Sequence, residues 1–203
     1  EKYQEKYQEK YQEKYQEKYQ EKYQEKYQKK YQEIYNKYVI FITIKKLKAY
    51  KYKFKNTWTL WFHKLFDNEW NINSYKKIYK FDNIANFWHL YNNQIYLSSG
   101  MFFLMKNNIL PIYEDRNNIN GGYWSIKVSN DDVKQVWLYL SLDLVGGKLD
   151  KKNIVSGLSI SYKKKFYIIK IWIKNKSYNK LSYLDLSNIN INKNDILYNN
   201  FSN

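Results

Sequence analysis

The residues of this 203-residue chain best suited to chemistry are aromatic rings set among cations. In Tyr167–Lys174 the odd positions Tyr167, Ile169, Ile171 and Ile173 form an apolar row, which leaves Trp172 on the other face between Lys170 and Lys174. A tryptophan opposite an aliphatic row is not needed by the core which that row builds. It shares a lysine-bearing surface type with Lys163 and Lys165. Rings stack on bases and ammonium groups meet phosphates, so this interleaving suits a nucleotide site. A surface strand whose lysines lay their stems along a ring gives the same pattern with no ligand. Signals for catalysis are weak. The chain has neither a Walker loop nor a G-x-S-x-G elbow. His63 and His89 lack any supporting ligand pattern and read as structural. Glu114 and Asp115 are adjacent, and on a strand they would point to opposite faces. With no Cys, disulfides, cysteine nucleophiles and thiolate metal sites are excluded. The expectation is a binding protein, not an enzyme, with no cofactor and no metal.

The elements that must position these groups alternate between strands and helices from Phe54 onward. Trp58–Lys64 reads as a strand with Trp58, Leu60 and Phe62 on one face. Asp82 is a natural N-cap for a helix through about Asn92. Tyr123–Val128 reads as a strand that buries Trp124, Ile126 and Val128 and turns Tyr123, Ser125 and Lys127 to the polar side. Ser129 and Asp132 have capping-box spacing, and the helix they open should stop at Gly146-Gly147. In Leu158–Lys163 the even positions are apolar, while Ser159, Ser161 and Lys163 face the other way.

Charge divides the chain into the same parts. Residues 1–28 are seven copies of Glu-Lys-Tyr-Gln with zero net charge, residues 29–55 carry nine Lys and one Glu, and the remainder completes the total of +16. A four-residue period drifts about 40° per copy around an α-helix, so the repeat tyrosines never build a fixed apolar face. Like charges also meet at i,i+4. Residues 1–36 therefore read as a low-complexity repeat tail, a solvated marginal helix or a disordered segment. Residues 37–53 read as a basic leading segment, with a short strand at Tyr38–Ile44. The lysine-rich stretch Lys45–Lys55 connects this strand to a domain spanning 54–203, and could attract RNA phosphates without specificity. An apolar content of 44% and an aromatic content of 20% argue against disorder of the whole chain. No apolar run is long enough to span a membrane, and the opening has no hydrophobic signal core. The expectation is an intracellular, cytoplasmic protein.

The aromatic landmarks resemble, in order and spacing, the eukaryotic translation initiation factor 4E family, which binds the 5′ cap of messenger RNA. They are Trp58-Thr-Leu-Trp-Phe-His-Lys64, Trp70, and Lys80-Phe-Asp-Asn-Ile-Ala-Asn-Phe-Trp-His-Leu-Tyr-Asn92. Ile109-Leu-Pro-Ile-Tyr-Glu-Asp115, Gly121-Gly-Tyr-Trp124, Val136-Trp-Leu138, Gly146 and the run from Gly157 to Ile171-Trp172 follow. The resemblance covers residues 54–175 well. It implies an α+β fold: a curved antiparallel sheet with helices on its convex face and the cap slot on the concave side. Carried across by position, the rings that sandwich 7-methylguanine fall on Trp70 and Tyr113, the residue reading the guanine edge on Glu114, and the N7-methyl contact on Trp172. One phosphate cation falls on Lys163. A second aligns with Ile168, so Lys165 is taken as its substitute, and a family arginine is replaced by Tyr123. Tyr113 stands where the family has tryptophan, which shrinks the stacking area.

The chemistry supports this reading. Methylation at N7 makes guanine cationic, and ring faces attract that charge by about 2 kcal/mol or more once water is excluded. Glu114 can accept from N1–H and the 2-amino group together, donors that adenine does not offer. On the helical side, the resemblance assigns Ile84, Trp88, Leu138 and Leu142 to a dorsal groove for a helical peptide of an initiation factor 4G-like scaffold or a 4E-binding repressor. Three departures bear on that groove: Tyr52-Lys53-Phe54 replaces the family's His-Pro-Leu, Tyr139 replaces an acidic residue, and the loop after Leu97 is shortened. The expected function is binding of capped messenger RNA and its recruitment to translation. Alternatives are a cap-binding repressor that lacks scaffold recruitment, a general single-stranded RNA binder and, more distantly, a carbohydrate-binding module.

Overall fold

The computed structural model describes residues 29–30, 32–33, 52–93, 96–192 and 195–201. The seven exact repeats, the strand expected at Tyr38–Ile44 and the lysine-rich stretch up to Lys51 lie outside the described residues. Residues 29, 30, 32 and 33 are helical and exposed. Contacts cluster residues Tyr50–Asn203 into one compact unit.

That unit is built on seven strands: β1 (Lys53–Lys64), β2 (Lys76–Asn83), β3 (Gly100–Lys106), β4 (Gly122–Val128), β5 (Val155–Tyr162), β6 (Tyr167–Ile173) and β7 (Ile196–Asn200). They form one sheet in the order β2-β1-β3-β5-β6-β4-β7, with every neighbouring pair antiparallel. The curved sheet and its two helices, α1 (Ile84–Asn92) and α2 (Val133–Val145), give the α+β architecture that the sequence leads one to expect. Lys53–Lys55, read from sequence as the end of a connector, already belong to β1.

Register sorts the side chains. Trp58, Leu60, Leu104, Leu158, Ile160, Ile169 and Ile171 share the convex face and are at most 1% exposed. Phe81 of β2 lies on this face opposite Trp58 and meets Phe87 of α1 edge-on at 5.8 Å, which fixes α1 against the sheet. Burying side chains of this size contributes roughly 1.5–3 kcal/mol each. α2 adds Val133, Val136, Trp137, Leu140 and Leu144 to the same core.

Cap signals are nearly where the sequence puts them. The N-cap of α1 is Asn83 and not Asp82; the Asn83 side chain accepts from the Asn86 N–H at 2.9 Å. Asp82 is still in β2, where it ion-pairs with Lys53 at 3.5 Å. The Ser129 Oγ accepts from the Asp132 N–H at 3.1 Å and donates to the Asp132 carboxylate at 2.7 Å. α2 ends as expected, with Gly147 at φ +80, a conformation that costs glycine nothing. At Gly157 a Cβ would strike the Leu104 carbonyl and the Met105 sulfur, so β3 and β5 require glycine there to approach each other. Beneath that crossing the buried ammonium of Lys106 pairs with Asp150 at 3.4 Å. Asp150 in turn accepts from the Ile154 and Val155 N–H groups, which sets the start of β5.

Candidate nucleotide-binding site

The opposite, concave face carries a second core of its own. Trp61 of β1, Phe103 and Met105 of β3, Ile109 and Trp172 of β6 form one buried cluster, and Ile72, Tyr75, Met101, Leu110 and Phe201 pack on its border. The sequence places Trp172 on a lysine-bearing surface. It does lie on the face opposite the Ile169/Ile171 row, but it is only 6% exposed. Its Nε1–H donates to Ser159 Oγ at 2.9 Å, and Phe103 meets it edge-on at 6.0 Å. Trp172 is thus a rigid floor, fixed by β5 and β3, and not a side chain free to turn.

Two loops are pinned onto that floor. The first, between β1 and β2, carries Trp70, which is half exposed. Its indole lies flat on the imidazole of His63, with centroids 4.4 Å apart and planes within 3°. His63 is fully buried, and its ring nitrogens lie 2.9 Å from the Lys64 carbonyl and 2.8 Å from the Glu69 carbonyl, so it ties the loop back to the end of β1. The Ser74 hydroxyl, 2.7 Å from the Glu69 carbonyl, and the Asn71 cap on Asn73 N–H close the rest of the loop. Tyr75 at its end touches both His63 and Phe103. A chain of rings therefore runs from Trp70 through His63, Tyr75 and Phe103 to Trp172.

The second loop, between β3 and β4, presents Tyr113 and Glu114, both exposed. Asp115 accepts from the Leu110 and Asn117 N–H groups at 3.0 and 2.8 Å. Asn118, fully buried, donates to the Leu110 and Ile112 carbonyls at 3.0 and 2.8 Å. The loop is stiffened from beneath while its tip faces outward. A hydrogen bond to Glu114, and then its negative charge, push up the Tyr113 hydroxyl. On the first loop, burial and secondarily the Glu114 carboxylate push Tyr75 up to about 12. Glu114 is thus electrostatically coupled to both loops.

Cations lie on β6 and β4 and in the β5–β6 turn, at the end of β6 away from Trp172. Lys163 and Lys165 are exposed in the β5–β6 turn, where Lys164 adopts φ 62. Lys170 stands on the concave side of β6 with its Nζ 3.9 Å from the Tyr123 ring centroid. Lys127 of β4 reaches over Phe166 at 4.8 Å. A separate hollow of about 320 Å³ lies toward β2, lined by Trp61, Lys77, Asn107, Asn108 and Leu110 among others, and touches none of Trp70, Tyr113 and Glu114.

On the convex side, Trp88 and Leu138 are buried, while Ile84 and Leu142 are half-buried.

A family description, Eukaryotic initiation factor 4E, matches residues 53–197, which span every strand of the sheet but the last three residues of β7. The chain belongs to that family. Among relatives, eukaryotic translation initiation factor 4E-1A of Danio rerio is 36% identical over 133 residues, covering 60% of this chain and 61% of its own. Initiation factor 4E1 of Drosophila melanogaster is 34% identical over 131 residues, covering 61% of this chain and 50% of its own. The matches thus span about half to three-fifths of those relatives' lengths. Among solved structures, C. elegans eIF4E-3 in complex with the 4E-binding protein Mextli and a cap analog aligns with a TM-score of 0.65 and 23% identity, covering 73% of this chain and 91% of its own. Ascaris suum eIF4E-3 with an m7G cap aligns with a TM-score of 0.64, 23% identity and coverage of 74% and 92%. These neighbours share the fold.

The sequence did not single out His63, Tyr75 or Asn118 as parts of this site. His63 follows an aromatic run on an inward-facing register position, a signal that marks burial but not a stacking partner. Asn118 sits in a polar Asn-rich stretch that reads as solvated.

Proposed function

We propose that this chain binds the 7-methylguanosine 5′ cap of messenger RNA and recruits the message for translation initiation in the cytoplasm, as a binder and not as an enzyme, through a domain spanning residues 54–203. The observation that supports this reading is that two loops, one carrying half-exposed Trp70 and the other half-exposed Tyr113 beside exposed Glu114, both pack on one floor that contains Trp172, and that the Glu114 charge is felt by Tyr75 of the first loop. In this reading Trp70 and Tyr113 close on the cationic base, Glu114 takes its N1–H and 2-amino donors, and Trp172 meets the methyl group. Lys163 and Lys165 meet the phosphates. Stacking is worth roughly 1–3 kcal/mol per base, and the methyl-derived charge strengthens it. Trp70 comes to the ligand already backed by His63, so little ordering cost is left for one half of the sandwich.

The test is retention on a 7-methyl-GTP resin with competition by free nucleotides. 7-Methyl-GTP should elute the chain at far lower concentration than GTP. Glu114→Ala, an exposed position, should fold normally and fail to be retained. Equal competition by GTP, or full retention of the variant, refutes the reading.

The convex surface formed by Ile84, Trp88, Leu138 and Leu142 is assigned in the same reading to a helical peptide of an initiation factor 4G-like scaffold or a 4E-binding repressor, in keeping with the 4E-binding protein carried by a structural neighbour. A peptide of that class should bind with the cap slot filled or empty.

A further inference from the structure

A base held between Trp70 and Tyr113, with its methyl group at Trp172, leads its phosphates along the concave face toward β4 and the β5–β6 turn. The two positions where the family resemblance expects cations, Tyr123 on β4 and Ile168 on β6, carry no charge. Register places a lysine beside each. Tyr123 is the cross-strand neighbour of Trp172, and the Lys170 ammonium lies 3.9 Å above its ring. Ile168 is the cross-strand neighbour of Lys127. The rings are contiguous with the floor: Tyr123 meets Phe201 at 5.4 Å, and Phe201 meets Trp172 at 4.8 Å.

Lys170 differs from the turn lysines in two ways. It is half-buried, so its stem is held, whereas Lys163, Lys164 and Lys165 are exposed. It is also uncompensated: among the described residues no carboxylate ion-pairs with Lys170, Lys127 or Lys163. Burial first, and then the nearby Lys163 charge, push its ammonium below the ordinary lysine range. A half-buried ammonium that feels a second ammonium and has no carboxylate counter-ion is a place where an anion is stabilised and relieves the repulsion.

We propose that Lys170, seated on Tyr123 and supported by Lys127 and Lys163, is the principal phosphate-binding cation of this chain and sets how strongly affinity grows with the number of phosphates on the ligand. The proposal rests on the cap-binding reading. Tyr123 serves as the platform that holds the ammonium over the track, the role an aromatic face can play for a cation. The exposed Lys165 adds a weaker contact, because solvent and salt screen its charge.

The experiment titrates the full chain with 7-methylguanosine and its mono-, di- and triphosphate, and with the matching unmethylated series. In the parent, affinity should rise with each phosphate. Lys170→Met, a neutral side chain of similar length, should leave affinity for the nucleoside within about twofold and weaken the triphosphate about tenfold or more, as expected on removing one charge-assisted contact. Lys170→Arg should restore the triphosphate advantage, and Lys165→Met should reduce it less than Lys170→Met does. If Lys170→Met keeps the parent's ratio of triphosphate to nucleoside affinity, or weakens nucleoside and triphosphate equally, the proposal is wrong. Failure of the underlying reading has a separate signature: methylated and unmethylated series would then bind alike in the parent itself.

Discussion

Asn118 offers the sharpest test of how the Tyr113–Glu114 loop is held. Its amide donates to the Leu110 and Ile112 carbonyls from a fully buried position, while its Oδ1 is buried with no hydrogen-bond partner. Asn118→Ala removes both bonds and leaves the Leu110 carbonyl short of its donor; the Ile112 carbonyl keeps a long bond of 3.4 Å from the Asp115 N–H. Losing the two bonds should cost about 2–3 kcal/mol, and removing the unpaired oxygen should return about 1 kcal/mol, for a net loss of about 1–2 kcal/mol. Asn118→Asp turns carboxylate oxygens toward both carbonyls in the same volume and should cost about 3 kcal/mol or more. Urea denaturation with an unchanged slope reads these losses directly. In a thermal scan the alanine variant should melt about 2–8 °C lower. A fluorescence titration with 7-methyl-GTP should show weaker binding by both variants, because the tip must then be ordered at the expense of binding energy. If alanine and aspartate are equally tolerated, the two carbonyl bonds do not hold the loop. If stability falls while affinity does not, the order of the loop is irrelevant to the ligand.

Tyr113→Trp should preserve or strengthen cap-analogue affinity by enlarging the stacking face, as measured by the same titration; weaker binding would count against the sandwich. Trp88→Ala should leave cap affinity of the folded protein unchanged and reduce binding of a dorsal helical peptide. Because Trp88 is only 8% exposed, it should also lower stability by about 3–5 kcal/mol, a cost that calorimetry can separate from the binding effect. Tyr75 gives a pH test. The folded chain keeps its hydroxyl protonated to about 12 against an ordinary value of 10.0, so in that interval the folded state holds a proton that the unfolded state releases. The stability it supplies is complete below pH 10.0 and is lost as pH rises to about 12, so Tyr75→Phe should flatten this part of the alkaline denaturation curve. An unaltered slope would mean that Tyr75 does not titrate as its surroundings require.

The sequence disclosed the sheet where one face differs from the other. β4 and β6 alternate cleanly because Trp124 and Ile126, or Ile169 and Ile171, face the helices while Tyr123 and Lys170 do not. β3 gave no such signal. Met-Phe-Phe-Leu-Met is buried on both sides, by the helices and by the concave cluster, so its apolar run has no period to read. β2 was hidden by its lysines, since an edge strand can leave Lys76, Lys77 and Lys80 in water. The slip from Asp82 to Asn83 came from two capping residues in succession. Pairing of β2 with β1 extends through Asn83 opposite Lys53, and only there does the chain turn into the helix. Of the residues in the proposed site, Trp70, Tyr113 and Glu114 come from the family pattern and stand on exposed positions, whereas the residues that support them gave no signal in the sequence. His63 acts through ring and carbonyl contacts made only once the following loop folds back on it, Asn118 is obscured by local polarity, and Lys170 acquires its setting only from a ring on the adjacent strand.

The placement of β7 has a bearing on how the protein is made. β4 is flanked by β6 on one side and β7 on the other, and Phe201, just past β7, both packs at a tilt on Trp172 and donates its N–H to the Gly121 carbonyl at 3.2 Å. During vectorial synthesis the outer rim of β4 therefore waits, uncapped and able to pair wrongly, until a much later segment leaves the ribosome. The concave floor stays unfinished for the same interval, so a nascent chain halted before Ile196 would be a stalled intermediate prone to clump.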